Sequence, residues 1–535
     1  MAAPQADVIV IGGGHNGLTA AAYLARAGLR VVVLERRPVI GGACVTEELW
    51  PGYHVNTAAY VVSLLDQQVL RDLELRTRFG LQLLPREPSS FTPLPGGRRL
   101  VLGPNLAQSV ASIKRFSTRD AERYPRYQEQ LERIAALVEA FARREPPDPW
   151  SAGVLGWMQG ARWFGQLLSL SRDDALAAAS LLAGSAGRFL AGWFESEPLR
   201  ATLATDAVIG AMAGPWSGGT GWLLLHHVMG QCTGKRGVWA YVRGGMGKLS
   251  EALADAARAA GAEIRTEAEV AAIVCRGPRV EAVVLADGTE LPCRVVACGC
   301  DIRRAVALCR EHLPEEFAEA VERIDFRSPV CKINLAVDRW PVFRGMAPDG
   351  SPPPELRGTI HIVESLDGLQ QAYLDAACGR PSEQPMLELT VQSILDPTLA
   401  PEGHHVVSIF TQYVPPTWAK HGDPEALEAF ADRCLKRLDD YAPGFSSTVR
   451  HRQVLGPAEL QDRFGLTGGN IFHGAMSPDQ LLFLRPVPGW SKYRLPLIGL
   501  YLCGSSAHPG GGVTALPGRL AAARILADWR TLQRA

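Results

Sequence analysis

The sequence predicts an α/β fold in which a doubly wound domain, broken into separate chain segments, is joined to a mixed α+β domain with a helical, tryptophan-rich insert. Three observations predict it. The chain opens on an apolar run, Val8–Ile11, that leads through Gly12-x-Gly14-x-x-Gly17 into a helix-prone stretch stopped at Gly28; a second apolar run, Val31–Leu34, ends on Glu35. Strand and helix patterns return at residues 236–302 and 491–535. Between these segments, residues 63–235 and 303–490 form the second domain, with a helical, lid-like insert over about 105–235.

The first unit, within residues 1–62, reads as a Rossmann-type dinucleotide site. Gly12 allows the tight strand-to-helix turn, Gly14 lets backbone N–H groups approach a pyrophosphate, and Gly17 lets helix and strand pack closely. His15 and Asn16 stand at the helix start, where free donors and the positive dipole end favour an anion. Glu35 is placed to accept from ribose hydroxyls. The glycine motif is weak alone, but its strand–turn–helix–strand–acid setting specifies it.

The next residues, Arg36-Arg37-Pro38-Val39-Ile40-Gly41-Gly42-Ala43-Cys44, point to FAD rather than NAD. FAD binds extended, so a further glycine loop touches its pyrophosphate, and Arg37 adds positive charge beside it. Taken with Gly52–Tyr60, Arg243–Leu249, Asn470–Gln480 and Cys503–Gly512, these motifs make nearly the whole chain similar to one superfamily. It resembles the FAD-dependent phytoene desaturases and amine oxidases, in their phytoene-dehydrogenase-like branch. The resemblance implies contacts to FAD from Gly12, Gly14, His15, Asn16, Gly17, Glu35, Arg36, Arg37, Gly41, Gly42, Ala43, Val270, Gly504, Ser505, Gly511, Gly512 and Val513. Val270 would meet the adenine through its backbone. Many members carry Arg where this chain has Ala43, which sets it apart from the amine oxidases proper. Disulfide reductase chemistry is excluded on the residues: it needs a second cysteine about five positions beyond Cys44, where Leu49 stands.

With 535 residues, more than one domain is expected, and 55 basic residues against 55 acidic ones give no electrostatic basis for binding nucleic acid. Eleven cysteines without a framework fit a reducing compartment. Cys298-Gly299-Cys300 reads as a buried strand end, and no metal site is expected. The first strand begins near residue 7, which leaves no room for a leader, so a cytoplasmic location is expected. The resemblance places related members in the mitochondrial matrix.

In the second segment, residues 248–260 read as a helix closed by Gly261, followed by strands at 262–266 and 267–274, a hairpin turning at Asp287-Gly288, and a strand at 294–298. The turn Gly244-Gly245-Met246-Gly247 is no second dinucleotide site, because Ser250 fills the last glycine position. Electrons are therefore expected to leave for oxygen, a quinone or another diffusible acceptor. The third segment reads as a strand at 497–503, a glycine-rich turn, and a helix from Leu516 whose N-terminus, by the resemblance, points at the flavin ring.

Residues 107–142 read as one helix ending before Pro146-Pro147. Seven of the twelve tryptophans follow: Trp150, Trp157, Trp163, Trp193, Trp216, Trp222 and Trp239. They read first as aromatic core; the functional alternatives are a tunnel for a hydrophobic substrate or a face dipping into a membrane surface. His54, His473 and His508 lie in segments expected to converge on the flavin and are the catalytic candidates. His226-His227 cannot share one helix face and is not read as a metal site. The expected activity is oxidation of a hydrophobic small molecule by an FAD-dependent dehydrogenase, oxidase or desaturase. A carotenoid desaturase, an amine oxidase, and a flavin-bound regulatory protein tied to mitochondrial function stay open as alternatives.

Overall fold

The computed structural model describes residues 6–147, 161, 165, 170–348 and 350–534. Its first sheet is wholly parallel, in the order Leu500–Leu502, Val295–Cys298, Val8–Ile11, Val31–Leu34, Glu263–Arg265. All three segments named above contribute strands to it. The three longest of these strands are buried along their whole length, which is why they read as unbroken apolar runs. Helices His15–Arg26 and Leu516–Arg534 approach so closely that a Cβ on Gly518 would stand 2.1 Å from the Asn16 carbonyl oxygen. Asp287-Gly288 turns a small antiparallel sheet as expected, with Gly288 at φ +85°.

The second domain is built on a seven-stranded sheet, ordered Val449–Leu455, Val330–Val337, His405–Gln412, Met386–Val391, Thr359–Ile362, Ser90–Pro93, Arg99–Leu102. Strand alternation divides its faces. Cys331, Ile333 and Leu335 pack with Phe430, Ala431 and Leu438 of helix Pro424–Tyr441. Val330 instead joins the core of the helical insert. Alternation therefore places Lys332 on the insert side of the sheet.

The expected helix at 107–142 is two helices, Leu106–Lys114 and Thr118–Ala142. Ser117 breaks the run by capping the second one, its hydroxyl accepting from Asp120 N at 3.0 Å, a contact worth about 1 kcal/mol. Of the seven tryptophans, Trp150, Trp157 and Trp163 lie outside the described residues. Trp222 is core, Trp193 packs edge-on against Tyr127 at 5.7 Å, and Trp216 is exposed. Trp239 lines a cavity. No helix among the described residues is long and apolar enough to cross a membrane.

Candidate active site

The glycine turn and the second glycine pair are built against each other. Gly41 N donates to Gly13 O at 2.8 Å, and a Cβ on Gly42 would lie 3.3 Å from Gly14 Cα. Gly17 is required by packing, since a Cβ there would stand 2.2 Å from the Gly12 carbonyl oxygen. Glu35 closes the unit, its carboxylate accepting from Gly13 N at 2.8 Å and from Arg37 N at 3.0 Å. Together they shape one wall of a cavity of about 440 Å³.

Gly12, Gly14, His15, Asn16, Gly17, Glu35, Arg36, Gly41, Gly42, Ala43, Val270 and Ser505 all line this cavity, and so does His473. Asn16 Nδ2 donates to Ser505 Oγ at 3.1 Å, tying the first helix to the C-terminal turn. Gly504 lies just behind, where a Cβ would meet Gly299 O at 2.5 Å. Gly511, Gly512 and Val513 sit outside this cavity. Gly511 is pressed against Phe472, and Gly512 lies beside Leu64 and His226. Arg304, Phe464 and Leu466 are lining residues that the sequence reading missed, the last two on either side of the lining Gly465 in a glycine-rich stretch that carries no dinucleotide motif.

Three of the expected residues lie away from the described cavities. Arg37 is not among the lining residues: it pairs with Glu47 at 2.7 Å and lies over the lining residue Phe464, with its Nη1 buried and without a protein partner. His54 is exposed on a β-hairpin, opposite Glu48, and lines neither cavity. His508 is buried against the backbone at the end of the helix Thr118–Ala142, beside Phe141, Ala142 and Arg144, and burial pulls its pKa down to about 4. Of the three candidate histidines, only His473 reaches a cavity.

A second cavity, about 360 Å³, lies between the insert and the seven-stranded sheet. Tyr60, from the Gly52–Tyr60 motif, forms part of its wall. Lys332 Nζ sits 4.2 Å from the Tyr60 ring centroid and donates to Ser408 Oγ. Burial alone pushes this lysine down to about 7. Arg86, Asp206, His227, His361 and Glu388 line the same cavity. Burial would raise Glu388, but the His361 imidazole beside it outweighs that and leaves the carboxyl below its ordinary range. For three of these groups the signal was a single basic or acidic residue inside a largely apolar strand: Lys332 in Val330–Val337, His361 in Thr359–Ile362 and Glu388 in Met386–Val391.

The Gly244–Gly247 turn has no room for a phosphate. Met246 N donates to Asn56 Oδ1 at 2.7 Å and Gly247 N to Thr46 Oγ1 at 2.9 Å, so side chains already fill that helix N-terminus. The thiol beside the glycine pair is inert: Cys44 is buried, its pKa pushed up to about 12, and all eleven cysteines are free.

The first cavity suits a dinucleotide. His15 Nε2, Asn16 Oδ1 and His473 Nδ1 are buried without protein partners, on residues that line it, and Gly14 leaves open space above its backbone. A dinucleotide cradle on a parallel sheet, with a second cavity in the adjoining domain, fits an FAD-dependent oxidoreductase. Residues 17–526 match the family model for flavin containing amine oxidoreductase, and the chain belongs to that family. It is 46% identical to pyridine nucleotide-disulfide oxidoreductase domain-containing protein 2 of Rattus norvegicus, over 99% of this chain and 94% of the relative. It is 28% identical to the hydroxyneurosporene desaturase of Cereibacter sphaeroides, over 97% of each. A putrescine oxidase structure shares the fold at TM-score 0.62 and 15% identity, covering 99% of both chains. The cofactor is FAD.

Proposed function

We propose that this enzyme takes a hydride from a C–H bond of a small molecule with a largely apolar body, seated in the 360 Å³ cavity, and passes the electrons to a diffusible acceptor such as oxygen or a quinone. The observation that carries the reading is the position of Tyr60. It belongs to the motif beside the dinucleotide cradle, walls the second cavity, and lies against a buried lysine.

In this reading the glycine loops, Glu35, Arg36, Val270 and Ser505 hold FAD, with Gly511–Val513 passing under the far end of the cofactor. FAD bound there supplies a two-electron acceptor for the hydride. Lys332 is not a lining residue but lies against Tyr60, which is, and in this reading it holds or takes up the accompanying proton, since a buried amine of pKa about 7 is poised between both forms near neutrality. The insert closes the cavity over the reacting bond and keeps water out. The desaturase relative supports C–H oxidation. The name of the rat relative mentions disulfide chemistry, which Cys44 without a partner cannot perform.

The test is purification with a visible absorbance spectrum, then anaerobic screening of apolar C–H donors for bleaching, followed by mixing with oxygen or a quinone. Bleaching and reoxidation are expected. A protein that cannot be loaded with flavin, or whose reduced flavin never reoxidises, overturns the proposal.

A further inference from the structure

The second cavity is amphipathic. Insert helices give it an apolar wall, including Tyr127, Leu131 and Leu224. Its opposite end is polar and left short of partners. Arg86 Nε and Ser90 Oγ are both buried without a hydrogen bond, on residues only 4% and 8% exposed, and both can donate. Two unmet donors at the wall of one cavity point to a ligand that offers acceptors to them.

Arg86 decides the charge of that ligand. Its guanidinium is held between the Trp239 and Tyr241 rings, 5.7 and 5.5 Å from their centroids, and donates to Thr359 Oγ1. Among the described residues no carboxylate comes within 4.0 Å of it. Glu388 does not serve as its counter-ion, because its carboxylate lies 3.4 Å from His361 Nδ1. Burial raises the Asp206 carboxyl above its ordinary range. A buried guanidinium with an open side binds planar oxyanions in a way that an ammonium does not.

We infer that the substrate is an amphipathic acid, with an apolar body lying along the insert and one carboxylate seated on Arg86. The inference rests on the proposed reading of this cavity as the substrate site, and it separates this chain from enzymes of neutral hydrocarbons or of amines. An amine would have to lie beside a fixed cation.

Isothermal titration calorimetry on the purified holoenzyme tests it with three probes of one chain length: octanoate, octan-1-ol and octylamine. Octanoate is expected to bind at least about 10-fold more tightly than the alcohol, the scale of one charge-assisted hydrogen bond, with the amine weakest. Arg86→Met should erase the preference for octanoate while leaving the alcohol unchanged. Equal binding of acid and alcohol, or tightest binding of the amine, overturns the inference. Should Arg86→Met fail to fold, the wild-type ranking decides alone. The calorimetric ranking needs no turnover, so its failure is distinct from that of the oxidoreductase proposal, which is read from bleaching and reoxidation of the flavin.

Discussion

Arg485 donates twice to the Ser505 carbonyl, from Nε at 3.1 Å and from Nη2 at 2.9 Å. The same guanidinium reaches Phe472 O at 2.7 Å and Ala475 O at 2.9 Å. It is fully buried, and burial lowers its pKa to about 9, which leaves it charged at neutrality. Its work is to satisfy carbonyls. By doing so it locks the loop carrying His473 to the turn carrying Ser505, two residues of the dinucleotide cavity that lie far apart in the chain.

Replacing Arg485 by Met should therefore orphan several buried carbonyls at once. The expected loss is at least about 3 kcal/mol in urea unfolding, together with weakened flavin retention on gel filtration. A stable variant that keeps its flavin would show that the two loops hold their places without this residue.

Gly17 and Gly28 offer a matched pair. A Cβ on Gly17 would stand 2.2 Å from a backbone oxygen, whereas Gly28, at φ +88°, has nothing within 4 Å. Gly17→Ala should push the first helix off its strand, costing more than about 2 kcal/mol and the flavin absorbance with it. Gly28→Ala should cost only the left-handed backbone strain, about 1–2 kcal/mol, and keep the yellow colour. Equal flavin content in the two variants would contradict the packing argument.

That contrast shows why the cradle could be read from the chain. Gly12 to Glu35 is contiguous, and each residue's job follows from local geometry. Arg37 misled because its partner Glu47 is brought alongside by a hairpin whose position no motif records. His508 misled for a similar reason, as its surroundings belong to the end of a helix more than 360 residues earlier. The second cavity was the least legible. Arg86, Asp206, His361 and Glu388 come from separate elements: sheet order pairs His361 with Glu388, while Arg86 follows a strand of another sheet and Asp206 caps a helix of the insert. The helix boundary at Ser117 was readable in principle, since a serine followed three residues later by Asp120 is a cap pattern.

Cys44 is the one thiol beside the glycine pair, and it tests the exclusion of disulfide chemistry. Its pKa of about 12 keeps it protonated, and its Sγ meets only His15 Nδ1, at 3.6 Å. Cys44→Ser is expected to leave the rates of flavin reduction and reoxidation unchanged in stopped-flow measurements. A collapse of either rate with the flavin still bound would return this thiol to the mechanism.

Lys332 links stability and turnover through one proton. Its pKa falls from 10.5 to about 7 on folding because burial penalises the charged amine. Between those values the unfolded chain holds a proton that the folded chain lacks, so folding is favoured as pH rises. Wild type should therefore gain on Lys332→Met by about 1.4 kcal/mol per pH unit across that window, and by nothing below pH ~6, where both states are protonated. Turnover should follow the same titration in the opposite role. If the neutral amine takes up the substrate proton, kcat/KM rises with pH to a plateau above about 7, and Lys332→Met loses that ascending limb while still binding flavin. The two readouts separate the possibilities: a variant that shifts the stability slope but keeps the limb would make Lys332 a buried structural amine and assign the proton acceptor to another group.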